Sequence, residues 1–422
     1  MRLAFDGLTA LQILRAVRRG QAGEEASRIL ALSSALPAPW SDAANDGTHH
    51  IAALTTRLPV EPSPGKERRR WTPSLLQLLR VGSWSIAWQR KLHVAVPSRD
   101  SRLQVKDVSC SVRNAGLPEG SFISLPDGIQ TPCPELLFVE MMQVMDPFAL
   151  QLLGCELCGR YARDPRNPRD GDCRFGVAPV TSIARIKSYM DACRRVPRRR
   201  ELVALLDCVF DEVWSPMEAV IAVIAARPLQ ELGYGLAPVV LNRRVDVPEA
   251  SSALSRVPDM LLKDSNVGLN YEGEGHLDLR SIAEAGIRVS DDPGTRNTSS
   301  ELERVKLSVR EKYVDDRRRD RELSAAGYTV FAVTKEDLSE QGGLDRVMSL
   351  VCEALIREGA IDENARVQRG RYVAGSLPRL RQDLVWSVLP GQSGRKAARR
   401  VQEHGKVRER GVQSLSICWD VL

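Results

Sequence analysis

Seven residues, NYEGEGH at positions 270–276, set Glu272, Glu274 and His276 at alternate positions with glycines between them. Carboxylate oxygens and an imidazole so spaced serve either an acidic turn or the end of a strand that holds a metal ion. If residues 266–272 form a strand, its side chains alternate. Asn270 and Glu272 then share a face with Gly268, while Val267, Leu269 and Tyr271 pack behind. Asp259 closes the VPD at the start of a preceding short strand, and a turn at about Asp264–Ser265 brings the two strands side by side. Asp259 and Glu272 would therefore meet at one sheet edge. Two hard oxygen donors suit Mg²⁺, which takes one or two carboxylates and keeps waters for a substrate phosphate.

Each residue also has a plainer reading. Glu218 follows Ser215 by three positions and Pro216 by two, the spacing of a helix capping box. Asp259, after Pro258, can simply begin a strand, His276 can satisfy a turn, and Glu274 can be solvated. Arg317 and Arg319 lie in DDRRRDR, 315–321, where interleaved acids favour an ion-paired helix face over contact with phosphate. CELC at 155–158, with Cys173 beyond, lacks the second ligand pair of a structural zinc site and reads as small buried hydrophobes.

The elements that must position these groups follow from pattern and punctuation. Residues 1–90 read as a mainly helical region, with Leu11, Leu14 and Val17 on one helix face and loop-rich stretches after it. Residues 91–212 read as a small α+β module. It holds a strand LHVAV ended by Pro97, two short strands about Pro126–Gly128, a buried helix at 134–145, and further helix over 182–214 broken near Pro197. From 213 to 360 the order is α-β-β-β-α-β-α, a mixed α/β domain. Gly327 ends its long polar helix, and Thr334 with Asp337 caps the next. Residues 361–422 read as a basic, flexible tail. GRKAARRVQEHGKVRER carries seven Lys or Arg against two Glu, with Arg395, Lys396, Arg399 and Arg400 as a candidate phosphate grip.

The C-terminal pattern resembles the PD-(D/E)XK nuclease superfamily, specifically its very-short-patch-repair-like branch. The likeness spans about residues 213–340: VPDMLL, then VGLNYEGEGH, then DDRRRDRELSAAGYTVFAV. It implies a restriction-endonuclease-like mixed sheet flanked by helices and a Mg²⁺-dependent endonuclease acting on DNA. Asp259 and Glu272 would bind the metal with Asn270 and Glu274 beside them, His276 would transfer a proton, and Glu218 would be the early helix carboxylate. Asp316 and Arg319 would border the site. One position departs from the pattern: Asn270 stands where a carboxylate is usual, and the usual Asp falls on Glu272. An amide oxygen brings no charge to a cation, so the alternative is a catalytically silent nuclease fold. Such a protein would bind DNA or act as an antitoxin-like regulator in a toxin–antitoxin or phage-defence system. The middle region, LHVAVPS through LLGCELCGRYA, resembles actinobacterial AbiE-type antitoxin-related proteins, which implies a toxin partner.

Composition narrows the classes further. The chain has 422 residues, 43% hydrophobic and 27% charged, ordinary for a globular protein, and a net charge of +6 that is compatible with a nucleic-acid partner. Asp6 interrupts the N-terminal apolar run before a signal peptide can form, and no stretch nears the roughly 18 apolar residues of a membrane span. Nine cysteines without an export signal read as reduced thiols of a cytoplasmic protein.

Overall fold

A computed structural model describes residues 3–35, 40, 54–62, 92–104, 108–114, 116–242, 258–273, 296–362 and 377–408. The fold is mixed α/β, as expected, and the chain divides into two compact units: Met1–Val223 with Ser387–Leu422, and Ile224–Trp386. No helix among the described residues is long and apolar enough to cross a membrane.

The first unit is built on a six-stranded sheet. Its strands are β1 (Leu3–Phe5), β2 (Thr55–Thr56), β3 (Leu92–Val96), β4 (Val108–Val112), β5 (Phe122–Ser124) and β6 (Ile129–Pro132), in the order β2-β5-β6-β1-β3-β4. β1 runs parallel to β6 and antiparallel to β3, so the N-terminal stretch and the middle module share one sheet rather than standing as separate layers. Helix α1 (Gly7–Arg18) starts where Asp6, in an extended conformation, accepts the Gly7 N–H. Leu11, Leu14 and Val17 are buried as expected, and Ala10, Ile13 and Ala16 are buried with them. The remaining helices of this unit are α2 (Glu24–Ala35), α3 (Pro134–Met141), α4 (Pro147–Cys158), α5 (Ile183–Ala192), α6 (Arg199–Leu206) and α7 (Pro216–Ala226), whose last turn enters the second unit. β7 (Tyr161–Ala162) and β8 (Arg174–Phe175) form a small separate ladder. Pro147 opens α4 behind Asp146, whose carboxylate accepts the Phe148 and Ala149 N–H groups. Cys155 and Cys158 lie buried on α4, and burial pushes the Cys155 thiol up to about 12, as befits a packed, protonated side chain.

A buried ion pair ties α1 to α4. Arg15 and Glu156, 2% and 1% exposed, make two hydrogen bonds, Nε to Oε1 at 2.9 Å and Nη2 to Oε2 at 2.6 Å. Oε1 also accepts the Arg163 N–H at 3.1 Å. Burial alone would raise the Glu156 carboxyl, but the Arg15 charge and these hydrogen bonds outweigh it and hold the group below the usual range.

The second unit holds β9 (Val239–Leu241), β10 (Met260–Leu262), β11 (Val267–Glu272) and β12 (Thr329–Thr334) in the order β12-β11-β10-β9. The first three are antiparallel neighbours, and β12 joins β11 in parallel. Helix α8 (Arg296–Ala325) ends in left-handed Gly327, which turns the chain into β12. Thr334 and Asp337 form the expected capping box for α9 (Lys335–Ser339), and α10 (Gly343–Arg357) packs across β11 and β12.

Within the segment read as a flexible tail, the described residues 377–408 are helical instead: α11 (Leu377–Ser387) and α12 (Gly391–Arg408). α11 belongs largely to the second unit, where buried Arg381 pairs with Asp345 at 2.7 Å and lies over the Tyr234 ring. α12 belongs to the first unit and buries Ala397 and Ala398. Its charge run conceals a small-residue stripe, and that stripe packs.

Removing one partner of a buried pair strands the other charge. Arg15→Met or Glu156→Gln alone is expected to destabilise the first unit by about 3–5 kcal/mol, and the Arg15→Met/Glu156→Leu double variant by less, in urea titrations. Because the folded-state carboxyl titrates below its unfolded value, its contribution is full above the unfolded value and is lost as pH falls through the folded one. Glu156→Gln should therefore show a flatter acid limb in stability against pH.

Candidate functional site

The β10–β11 hairpin carries the sequence-derived site. Met260 faces Leu269 and Leu261 faces Gly268. Asn270 and Glu272 share a face of β11, and Asp259, the residue just before β10, reaches across to Asn270 and Tyr271. The turn between them is tight. Lys263 and Asp264 have φ of 57° and 52°, and the Ser265 N–H closes on the Leu262 carbonyl at 3.0 Å, the pattern of a hairpin turn that matches strand twist. Gly268 has a steric task in this hairpin: a Cβ there would lie 2.5 Å from the Met260 carbonyl oxygen.

Two of the three residues bind each other's strands. The Asn270 side-chain oxygen accepts the Asp259 N–H at 3.0 Å, and Asp259 Oδ2 accepts the Tyr271 N–H at 2.6 Å. Asn270 is 2% exposed. Its amide thus holds the hairpin closed, a task that a carboxylate in the same burial would perform only with an unscreened charge. Glu272 is half-buried at the end of β11, opposite Thr334 of β12. Among the described residues, no three His, Cys, Asp or Glu side chains gather as a metal site. Glu274 and His276 lie outside the described residues.

The other expected site residues fall as follows. Glu218 sits in the first unit, where its N–H reaches Ser215 Oγ and its carboxylate accepts the Trp214 N–H, both at 3.2 Å. That is a capping arrangement displaced by one residue from the usual box. On α8, Arg319 pairs with Asp316 at 3.6 Å, both 18% exposed, and Arg317 pairs with Asp320 at 3.4 Å in a more exposed position. The ion-paired helix face is thus present, and the Arg319 Nε is buried without a hydrogen-bond partner among the described residues. On α12, Arg395 pairs with Asp170, Lys396 and Arg399 are exposed, and Arg400 is half-buried.

The sequence reading missed a polar cluster in the first unit. Asp6, at the α1 cap, and Glu140, on α3, both meet Arg113 beside a cavity of about 360 Å³. These residues stand far apart in the chain and belong to no motif, so no local signal marks them.

If the clasp holds the hairpin, Asn270→Ala should leave the Asp259 N–H without its acceptor and destabilise the second unit by about 1–3 kcal/mol. Asn270→Asp keeps an acceptor but sets a second carboxylate against Asp259, and its deficit should shrink as pH falls. Guanidinium denaturation of the three proteins measures both effects.

Comparison with models of protein families, with curated proteins and with solved structures returned no match.

Proposed function

We propose that the second unit is a nuclease-like module that acts on DNA phosphodiesters with Mg²⁺. The observation that carries this reading is the nearness of Asp259, just before β10, to Asn270, which shares a face of β11 with Glu272, in the mixed sheet of an α-β-β-β-α-β succession. Asp259 and Glu272 are hard anionic donors of the kind Mg²⁺ accepts, while Asn270 offers a neutral oxygen already engaged by the Asp259 N–H. A bound Mg²⁺ supplies Lewis acidity toward a phosphate oxygen and a more acidic water. The chain's own residues hold the face in place. The clasp orients Asp259, the parallel pairing with β12 fixes the end of β11 that bears Glu272, and His276 is the proposed proton carrier.

The test is relaxation of supercoiled plasmid in Mg²⁺ or Mn²⁺ by the full chain. Nicking by wild type that falls at least a hundredfold in Asp259→Ala and in Glu272→Ala supports the reading. Equal nicking by wild type and variants would assign the activity elsewhere.

A second reading has its own observation. Asn270 serves as a buried strand clasp, which suits a unit built for shape rather than cleavage, a DNA-binding or toxin-neutralising regulator. It then binds DNA or its protein partner without divalent ions, and nicking is absent at every metal concentration. If Asn270→Glu creates nicking where wild type has none, the missing charge was the limiting factor.

In either reading, α12 is the candidate backbone contact. Deleting it would remove Ala397 and Ala398 and uncover the surface they cover, so its charges are better tested by substitution. Lys396→Ala/Arg399→Ala should weaken binding to all DNA sequences alike. It should also flatten log K against log salt by about 0.9 for each phosphate that is no longer neutralised. Unchanged slopes in filter-binding titrations would leave these side chains as solvated charge.

A further inference from the structure

The cavity of the first unit is walled by α1, β3, the end of β4, α3 and α5, and encloses about 360 Å³, within the size range of small-molecule sites. Leu8, Leu136, Val139 and Val144 make much of its wall apolar. Its polar end is unbalanced. Asp6 accepts the Gly7 N–H at 2.6 Å and Arg113 Nη2 at 3.0 Å. The same Nη2 lies 2.8 Å from Glu140 Oε1. Two buried carboxyl groups thus share one guanidinium. Glu140 is 9% exposed, and its neighbours are the Asp6 carboxyl, the Gly7 N–H and Arg113, which is its one cationic partner among the described residues. Elsewhere in this unit the buried carboxylates Glu156 and Glu135 each face an arginine of their own, Arg15 and Arg185.

We propose that this cavity binds a small organic cation, an ammonium or amidinium group on an apolar body, with Glu140 as its counter-ion. A second positive charge carrying N–H donors compensates the second carboxyl of the pair and takes the place of the proton it would otherwise share. The apolar wall suits the body of such a ligand. A divalent metal fits less well, because the Arg113 guanidinium already stands within 3.0 Å of both carboxylates. This site is independent of the phosphodiester reading, since it lies wholly within the first unit.

Without a ligand, the surroundings of Glu140 favour its protonated form over its charged one. Burial and the hydrogen-bonded neighbour Asp6 push Glu140 well above the usual carboxylate range, and Arg113 opposes this only in part. The other titratable or charged groups on the cavity wall are His93 on β3, which burial moves down toward the neutral form, Tyr189 and Cys193 at α5, and exposed Arg195. Burial keeps Tyr189 and Cys193 protonated by moving both upward. Glu140 is therefore the group that changes state. A cation entering beside it displaces its proton, so the binding equilibrium releases one proton and strengthens as pH rises. The gain is about tenfold per pH unit between the bound and free values of Glu140.

Isothermal titration of the full chain with benzylammonium and benzamidinium, against benzyl alcohol and benzoate, tests this. Repeating the titration in phosphate and in Tris at one pH counts the protons released. The expected result is binding of the two cations at least tenfold tighter than the neutral and anionic analogues, with about one proton released. Glu140→Gln, which keeps the side chain's shape, should abolish both the preference and the release. Val144→Trp fills the cavity while leaving the carboxyl pair intact, and should abolish binding by itself. Cations that bind no better than benzyl alcohol, or that bind Glu140→Gln and Val144→Trp as well as wild type, would overturn the proposal.

Discussion

One antiparallel step, Met260 opposite Leu269, governs which side chains of the second unit can act together. Side chains alternate along a strand, so a slip of one residue would send Asn270 and Glu272 to the opposite face and bring Tyr271 round to theirs. Several features hold the step in place. The tight turn at Lys263 and Asp264 sets the strand ends, and β11 is aligned along its whole length with β12, from Val267 opposite Thr329 to Glu272 opposite Thr334. The Asp259–Asn270 clasp closes the far end.

That clasp creates a tension between architecture and chemistry. Asp259 is the first carboxylate of the proposed metal face, and it also accepts a backbone N–H of the neighbouring strand. Asn270 stands beside Asp259 at the proposed metal face, and its burial favours a neutral side chain. A buried amide satisfies the Asp259 N–H without adding an uncompensated charge. A carboxylate there would demand a bound cation to be tolerated. The residue identity at 270 therefore bears on both the stability of the hairpin and the strength of any metal site.

The first unit handles buried charge in two ways. Arg15 and Glu156 match one to one through two parallel hydrogen bonds, and the geometry leaves neither charge seeking a partner. Asp6, Arg113 and Glu140 do not match, and their imbalance faces a cavity rather than packed side chains. The same physical rule, that a buried charge must be compensated, makes the first arrangement structural and gives the second a capacity to take up a proton or a cation.

Much of this fold was legible in the amino-acid order because its signals are local. Pro216 after Ser215, Asp337 three residues beyond Thr334, Gly327 after a polar helix, and alternation through VGLNYE each depend on neighbours within a few positions, and the corresponding elements are present. The antiparallel pairing of the strand that follows Asp259 with the strand that ends on Glu272 was also readable, since a short hairpin leaves little freedom of register. Other features depended on distant partners. Leu3–Phe5 became a strand by pairing with residues 92–96 and 129–132, and a basic segment became a packed helix because Ala397 and Ala398 found a surface to cover. The meeting of Asp6, Arg113 and Glu140 likewise required the sheet to bring together segments with no common motif. By itself the sequence determined caps, turns and strand alternation, which are set by short-range sterics and hydrogen bonding. Tertiary structure alone decided which buried charges would be matched, because charge compensation depends on the distance between side chains in space and not along the chain.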